Sequence, residues 1–207
     1  MNNILIVGCG HMGSALLKKW SKNKNYKFTI IDPVKYKIIN KSLKNKNIRS
    51  FSSIKQIKNT RIFDIIILAV TPQVITNVLS EYKILSFKKT SVLVSIIAGK
   101  KINFYSKLLP NINQIVRVMP NMPALINEGV SCLVSNKAVS KSNKNKINHL
   151  FSLVGTIVWL NNEREIDAAT AISGSGPGYV FYLIDSIEQA ANKLGLQKKI
   201  NQKLIFQ

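Results

Sequence analysis

The chain has 207 residues, 46% of them hydrophobic: enough to bury a core, too many for a disordered chain, and a length that suits one large domain or one domain plus part of another. Thirty Lys and Arg against nine Asp and Glu give a formal charge of +21, yet only Arg49, Arg61, Arg117 and Arg164 are arginines. The lysines are scattered over polar faces with no interleaved aromatics, which favours solvated faces over a specific nucleic-acid surface.

The charge is also lopsided, with 25 basic residues against four acids in residues 1–150 and five of each in 151–207. Cys9 and Cys132 are far apart and imply neither a metal spacing nor a disulfide framework. The N-terminus has no basic region of a signal peptide, and no stretch approaches the roughly 18 apolar residues of a membrane span. A cytoplasmic protein is the expectation.

In chain order, Ile4 to Val7 is a short, wholly apolar run, as in a parallel strand buried on both faces. Gly8, Gly10 and Gly13 follow at G-x-G-x-x-G spacing, and Met12, Ala15, Leu16 and Trp20 repeat at helical intervals. A second strand, YKFTIID, ends at Asp32, 19 residues past Gly13, near the distance at which an acid reaches the adenosine ribose of a dinucleotide. Further strands are expected at 48–51, 63–70, 91–99, 114–120, 129–135 and 155–160, with a helix starting at Pro72 and a Lys/Asn-rich helix near 138–152. The alternation predicts an α/β, Rossmann-type, doubly wound and mainly parallel sheet over residues 1–160. From 161 to 207 the reading is helical apart from a turn at SGSGP. The apolar face of the helix after Pro177 (Val180, Phe181, Leu183, Ile184, Ile187, Ala191, Leu194) is too wide to stand without a partner.

The glycine loop points to chemistry. Gly8 permits the tight turn, Gly10 lets a pyrophosphate approach the backbone, and Gly13 lets the helix pack against the strand, whose N-terminal amides then face the phosphates. His11 in this loop reads as a solvent-facing side chain, and Cys9 as a small filler. A carboxylate at Asp32 accepts the 2′-OH of NAD and repels the 2′-phosphate of NADP, while Lys35 and Lys37 just beyond could offset that repulsion; the sequence leans to NAD without settling it, and NADPH or NADH are both expected candidates. AVTPQ, AG and MPNMPAL lie at carboxyl ends of strands, the ligand edge of an open parallel sheet. Pro120 and Pro123 either stiffen a functional loop around Asn121 or merely end a strand. The stretch AISGSGPGYVFYLI is either a tight turn between helices or an anion cradle.

Two segments together, RVMPNMPALINEGVSCLV and TAISGSGPGYVFYLID, with VGCGHMGSALL, AVTPQ and VSIIAGK in the same order, resemble the pyrroline-5-carboxylate reductase family over nearly the whole chain. The resemblance implies NAD(P)H-dependent reduction of the cyclic imine 1-pyrroline-5-carboxylate to L-proline, with an N-terminal dinucleotide domain and a helical C-terminal dimerisation domain. It places cofactor contacts on Val7, Gly8, Cys9, Gly10, His11, Met12, Gly13, Asp32, Ala69, Val70, Thr71, Pro72, Ile97, Ala98 and Gly99. Asn121, Ser173, Gly174, Ser175 and Gly176 are expected beside the substrate.

Thr71, Ile97, Met122 and Gly178 depart from residues usual in the family. The family continues past the point matching Gln207, through a Ser-Pro-Gly-Gly-Thr loop that touches the substrate and most of the dimer interface. No catalytic acid is therefore assigned within this chain, and a homodimer or higher homo-oligomer is expected of a complete helical domain. The competing readings are a nucleotide-binding module without catalysis and a related hydroxy-acid dehydrogenase. The latter usually has a lysine base on a second-domain helix, where this chain has only Lys193, at the far end.

Overall fold

The computed structural model describes residues 1–42, 45–83 and 85–206. Its strands are β1 (Asn2–Val7), β2 (Tyr26–Ile31), β3 (Ile48–Phe51), β4 (Ile65–Leu68), β5 (Val92–Ser95), β6 (Gln114–Pro120), β7 (Gly129–Ser135) and β8 (Gly155–Trp159). Its α-helices are α1 (His11–Trp20), α2 (Tyr36–Ser42), α3 (Ile75–Tyr82), α4 (Ile102–Leu108), α5 (Lys141–Ser152), α6 (Glu163–Ala169), α7 (Gly176–Lys193) and α8 (Lys198–Phe206). The strands form one sheet in the order β3-β2-β1-β4-β5-β6-β7-β8.

The apolar runs explain the layering. Successive side chains on a strand point to opposite faces, so a run apolar at every position supplies two cores at once. Ile4 and Ile6, Ile65 and Ile67, and Val92 and Val94 join Leu16, Leu17, Trp20, Leu150 and Phe151 of α1 and α5 on one face. Leu5 and Val7, Ile66 and Leu68, and Leu93 join Ile75, Leu79, Tyr105 and Ile166 of α3, α4 and α6 on the other. The mainly parallel, doubly wound architecture is the one the alternation predicts.

Three local expectations need correction. Within the 63–70 and 91–99 runs the strands are shorter, Ile65–Leu68 and Val92–Ser95; just before β4 the Asp64 carboxylate accepts the Asn3 N–H and the Lys88 ammonium. The helix expected from Pro72 begins at Ile75, after a turn in which the Val74 N–H donates to the Thr71 carbonyl. The mainly parallel sheet has one antiparallel pairing, β6 with β7, with Val118 opposite Leu133. Residues 121–128 between them are too few for a crossover of a dozen or more residues.

The SGSGP stretch is not a turn between helices. Residues Thr170–Gly174 are π-helical, joining α6 to α7, and the Ser175 N–H donates to the Thr170 carbonyl at 2.9 Å. The hydroxyls of Thr170 and Ser173 reach back to the Ile166 and Ala169 carbonyls at 2.7 and 2.9 Å, a local competition with the regular ladder. Pro177 falls in the first turn of α7, where its missing N–H leaves no gap.

Candidate functional site

The carboxyl ends of β1, β2 and β4 open into a groove of about 660 Å³. The glycine loop forms its floor. Gly8 has φ +88°, and a Cβ there would meet Val70 Cγ1 at 2.6 Å and the Ala69 carbonyl oxygen at 2.8 Å. That conformation and that crowding admit glycine alone. A Cβ on Gly13 would lie 2.9 Å from the Gly8 carbonyl, so the helix start is pressed onto the loop. Gly10 differs: nothing of the protein lies within 4 Å of where its Cβ would be. The missing side chain clears space on the groove side, in front of an α1 N-terminus that has no side-chain cap. Amides at such an end are suited to phosphate oxygens.

Asp32 closes the other side. Its Oδ2 accepts the Cys9 N–H at 2.8 Å, and its Oδ1 accepts the N–H groups of Val34 and Lys35 at 3.0 and 2.7 Å. The residue is only 8% exposed. The carboxylate therefore fixes the glycine loop as well as facing the groove. Burial first, then the Asp32 charge, pushes the Cys9 thiol up to about 11, with Lys35 pulling weakly the other way. A thiol held neutral is a filler, not a nucleophile.

Of the residues singled out from sequence, Val7, Gly8, Cys9, Gly10, Asp32, Ala69, Val70 and Thr71 line the groove. His11 is exposed beside it, Met12 is packed against the core, and Pro72 follows Thr71 at its rim. Ile97, Ala98 and Gly99 lie past the end of β5 on the same sheet edge but not in the groove wall; Ile97 is buried and its N–H donates to Ser95 Oγ. The sequence reading missed Ile31, Pro33, Val34, Ser52, Ser53, Ile54, Val74, Asn77, Val78, Glu81 and Tyr82. A signal existed for the last five, whose spacing along α3 and its preceding residue marks one helical face.

The remaining candidates sit where β6 meets the helical segment. Residues 117, 119 and 121 share one face of β6 and its extension, and each contacts the helix opposite. The Arg117 guanidinium, 4% exposed, donates to Glu163 Oε1 at 2.8 Å and lies 3.9 Å from Asp167. Glu163 Oε1 also accepts the Ile102 N–H at the start of α4. Met119 Cε is 3.8 Å from the position of a Cβ on Gly174. The Asn121 side chain donates to the Ser173 carbonyl at 3.0 Å and accepts the Val130 N–H at 2.8 Å. Asn121 is thus engaged at both ends in holding the π-helical turn to the sheet. Behind it, Ala124 of the 3₁₀ turn Met122–Ile126 joins Met12 in one apolar cluster, so the 119–125 loop and the glycine-loop helix are neighbours. Among the described residues no group of three His, Cys, Asp or Glu could hold a metal, and no helix is long and apolar enough to cross a membrane.

A glycine turn at β1, an acid at the end of β2 and a groove across the carboxyl edge define a Rossmann-type dinucleotide-binding protein. Comparison with known proteins narrows the class. The profile described as "Pyrroline-5-carboxylate reductase dimerisation" matches residues 163–207, and that described as "NADP oxidoreductase coenzyme F420-dependent" matches 3–99. The crystal structure of Plasmodium falciparum pyrroline carboxylate reductase with NADP bound is 33% identical with TM-score 0.82, over 99% of this chain and 74% of that one. A Coxiella burnetii pyrroline-5-carboxylate reductase is 29% identical with TM-score 0.82, over 99% and 75% of the two chains. The Haemophilus influenzae pyrroline-5-carboxylate reductase is 35% identical over 144 residues, 70% of this chain and 53% of that protein. The chain belongs to the pyrroline-5-carboxylate reductase family. The match spans about half the length of the curated relatives.

Proposed function

We propose that this chain carries the dinucleotide-binding part and the first section of the substrate domain of a pyrroline-5-carboxylate reductase, acting on 1-pyrroline-5-carboxylate to yield L-proline. The observation that carries the reading is the joining of the glycine-loop edge to the Ser173–Gly176 segment through Asn121. NADPH or NADH, when bound, supplies the hydride for the imine carbon. Residues 7–10, Asp32 and 69–71 hold that cofactor in the groove, with the start of α1 behind them and residues 97–99 farther along the same sheet edge. The π-helical turn presents Ser175 and the bare backbone of Gly174 and Gly176 to the substrate carboxylate, with Asn121 fixing the turn rather than touching the substrate. The family membership and the groove support these roles. No acid in the chain is assigned to protonate the nitrogen; an imine that arrives protonated already has an electrophilic carbon.

Residues of α7 and α8 leave Tyr179, Val180, Phe181, Leu183, Ile187 and Leu204 exposed, and the matching profile is one of dimerisation. A second copy covering this face is the partner we propose. The test is NAD(P)H oxidation on adding pyrroline-5-carboxylate, run on this chain and on the chain extended to the length of its relatives. Oxidation dependent on the imine is expected; none in either form overturns the activity, and nucleotide binding alone would leave a cofactor module.

A further inference from the structure

We propose that Asp32 makes the groove select NADH over NADPH, a step that rests on reading the groove as a dinucleotide site. The donors and acceptors at the ribose end decide the preference. A carboxylate oxygen has two lone-pair positions. Oδ1 of Asp32 has both engaged, by the Val34 and Lys35 N–H groups. Oδ2 has one engaged, by the Cys9 N–H. One acceptor position remains, on the oxygen facing the glycine loop. A ribose 2′-hydroxyl can donate to it. A 2′-phosphate has no proton to give at neutral pH and brings like charge against the carboxylate.

Binding the phosphate would need donors around it, and the rim supplies few. Pro33 has no N–H. Those of Val34 and Lys35 already point at Asp32. Across the groove, at the end of β3, the Ser52 N–H, the Ser52 hydroxyl and the Ser53 N–H all donate to Gln56 Oε1, at 3.0, 3.1 and 3.3 Å. Ser53 Oγ accepts the Lys55 N–H at 3.3 Å. Val34 at this rim is 79% exposed, an apolar side chain at a place where an arginine would serve a phosphate. The Lys35 and Lys37 ammonium groups remain, the latter 5.9 Å over the Tyr36 ring, mobile point charges without the fork that grips phosphate.

The test is calorimetric titration of the chain with NADH and with NADPH at one ionic strength. A Kd at least about tenfold lower for NADH is expected, as like-charge contacts are costly in recognition. Asp32→Ser should bring the two within about threefold by tightening NADPH. Because Asp32 also pins the Cys9 amide, a second variant that leaves this bond intact, Val34→Arg at an exposed position, is measured alongside and should tighten NADPH alone. Equal or tighter NADPH binding by the unaltered protein overturns the selectivity and leaves the dinucleotide site standing. An NADH preference that survives both substitutions overturns the role of Asp32. Binding of neither nucleotide overturns the site itself.

Discussion

The side-chain amide of Asn121 links two segments 52 positions apart, donating to the Ser173 carbonyl at 3.0 Å while accepting the Val130 N–H at 2.8 Å. One residue thereby ties the end of β6, the start of β7 and the π-helical turn together. Asn121→Leu removes both bonds and leaves a Ser173 carbonyl and a Val130 N–H to find other partners. The expected cost is about 1–3 kcal/mol of unfolding free energy. Hydrogen exchange should show faster opening of 170–175 than of β1. Unchanged exchange in that segment contradicts the pin.

Arg117 gives the second prediction. Its buried guanidinium depends on Glu163 for a close charged partner, since Asp167 is 3.9 Å away and largely exposed. Glu163→Met should cost about 3–5 kcal/mol by leaving that charge uncompensated. Adding Arg117→Met should recover part of the loss, so the double variant is more stable than the two single effects added together. Denaturant unfolding of the four proteins measures the coupling. Strict additivity contradicts a direct dependence.

Glycines 8 and 10 should respond differently to the same change. Gly8→Val meets a positive φ and the Ala69 backbone, and should cost several kcal/mol, at least about 1–3 from the backbone alone. A Cβ at Gly10 meets no protein atom within 4 Å, so Gly10→Val should change stability by only about 0.5 kcal/mol. It should nevertheless lower dinucleotide affinity by about tenfold or more, because its side chain occupies the phosphate approach. Thermal unfolding and nucleotide titration of both variants separate the two roles.

The glycine spacing, the apolar strands and the position of Asp32 were legible because each is a local pattern. Gln114–Pro120 and Gly129–Ser135 could be bounded from sequence, as proline and glycine punctuate those runs. What Asp32 does with its oxygens was not legible: its partners at Cys9, Val34 and Lys35 depend on how two turns meet. The π-helical turn was also hidden, since a shift to an i−5 partner leaves no compositional mark and glycine with proline normally signals a turn. The Arg117–Glu163 pair spans 46 positions and arises only when α6 folds back on β6. The short link after β6 carried the antiparallel pairing, which the alternation of strands and helices alone did not reveal.

Cysteine chemistry follows from burial. The Cys9 thiol is raised from its ordinary 9.0 to about 11, so the folded state holds its proton more tightly than the unfolded chain. Its contribution to stability is complete below pH 9 and declines as pH rises through about 11. Cys9 and Cys132 are both buried. Neither should react with a thiol reagent in the native protein at pH 7–8, and both should react in denaturant. Rapid native labelling of Cys9 contradicts its placement under the loop.

The account stands or falls most directly on where a nicotinamide nucleotide sits. A crystal structure of the chain with NADH should show the pyrophosphate against Gly8–Gly10, the adenosine ribose at Asp32 Oδ2, and the nicotinamide directed toward the edge where Asn121 holds Ser173. Density for the nucleotide at any other surface, or an empty groove at saturating NADH, contradicts it.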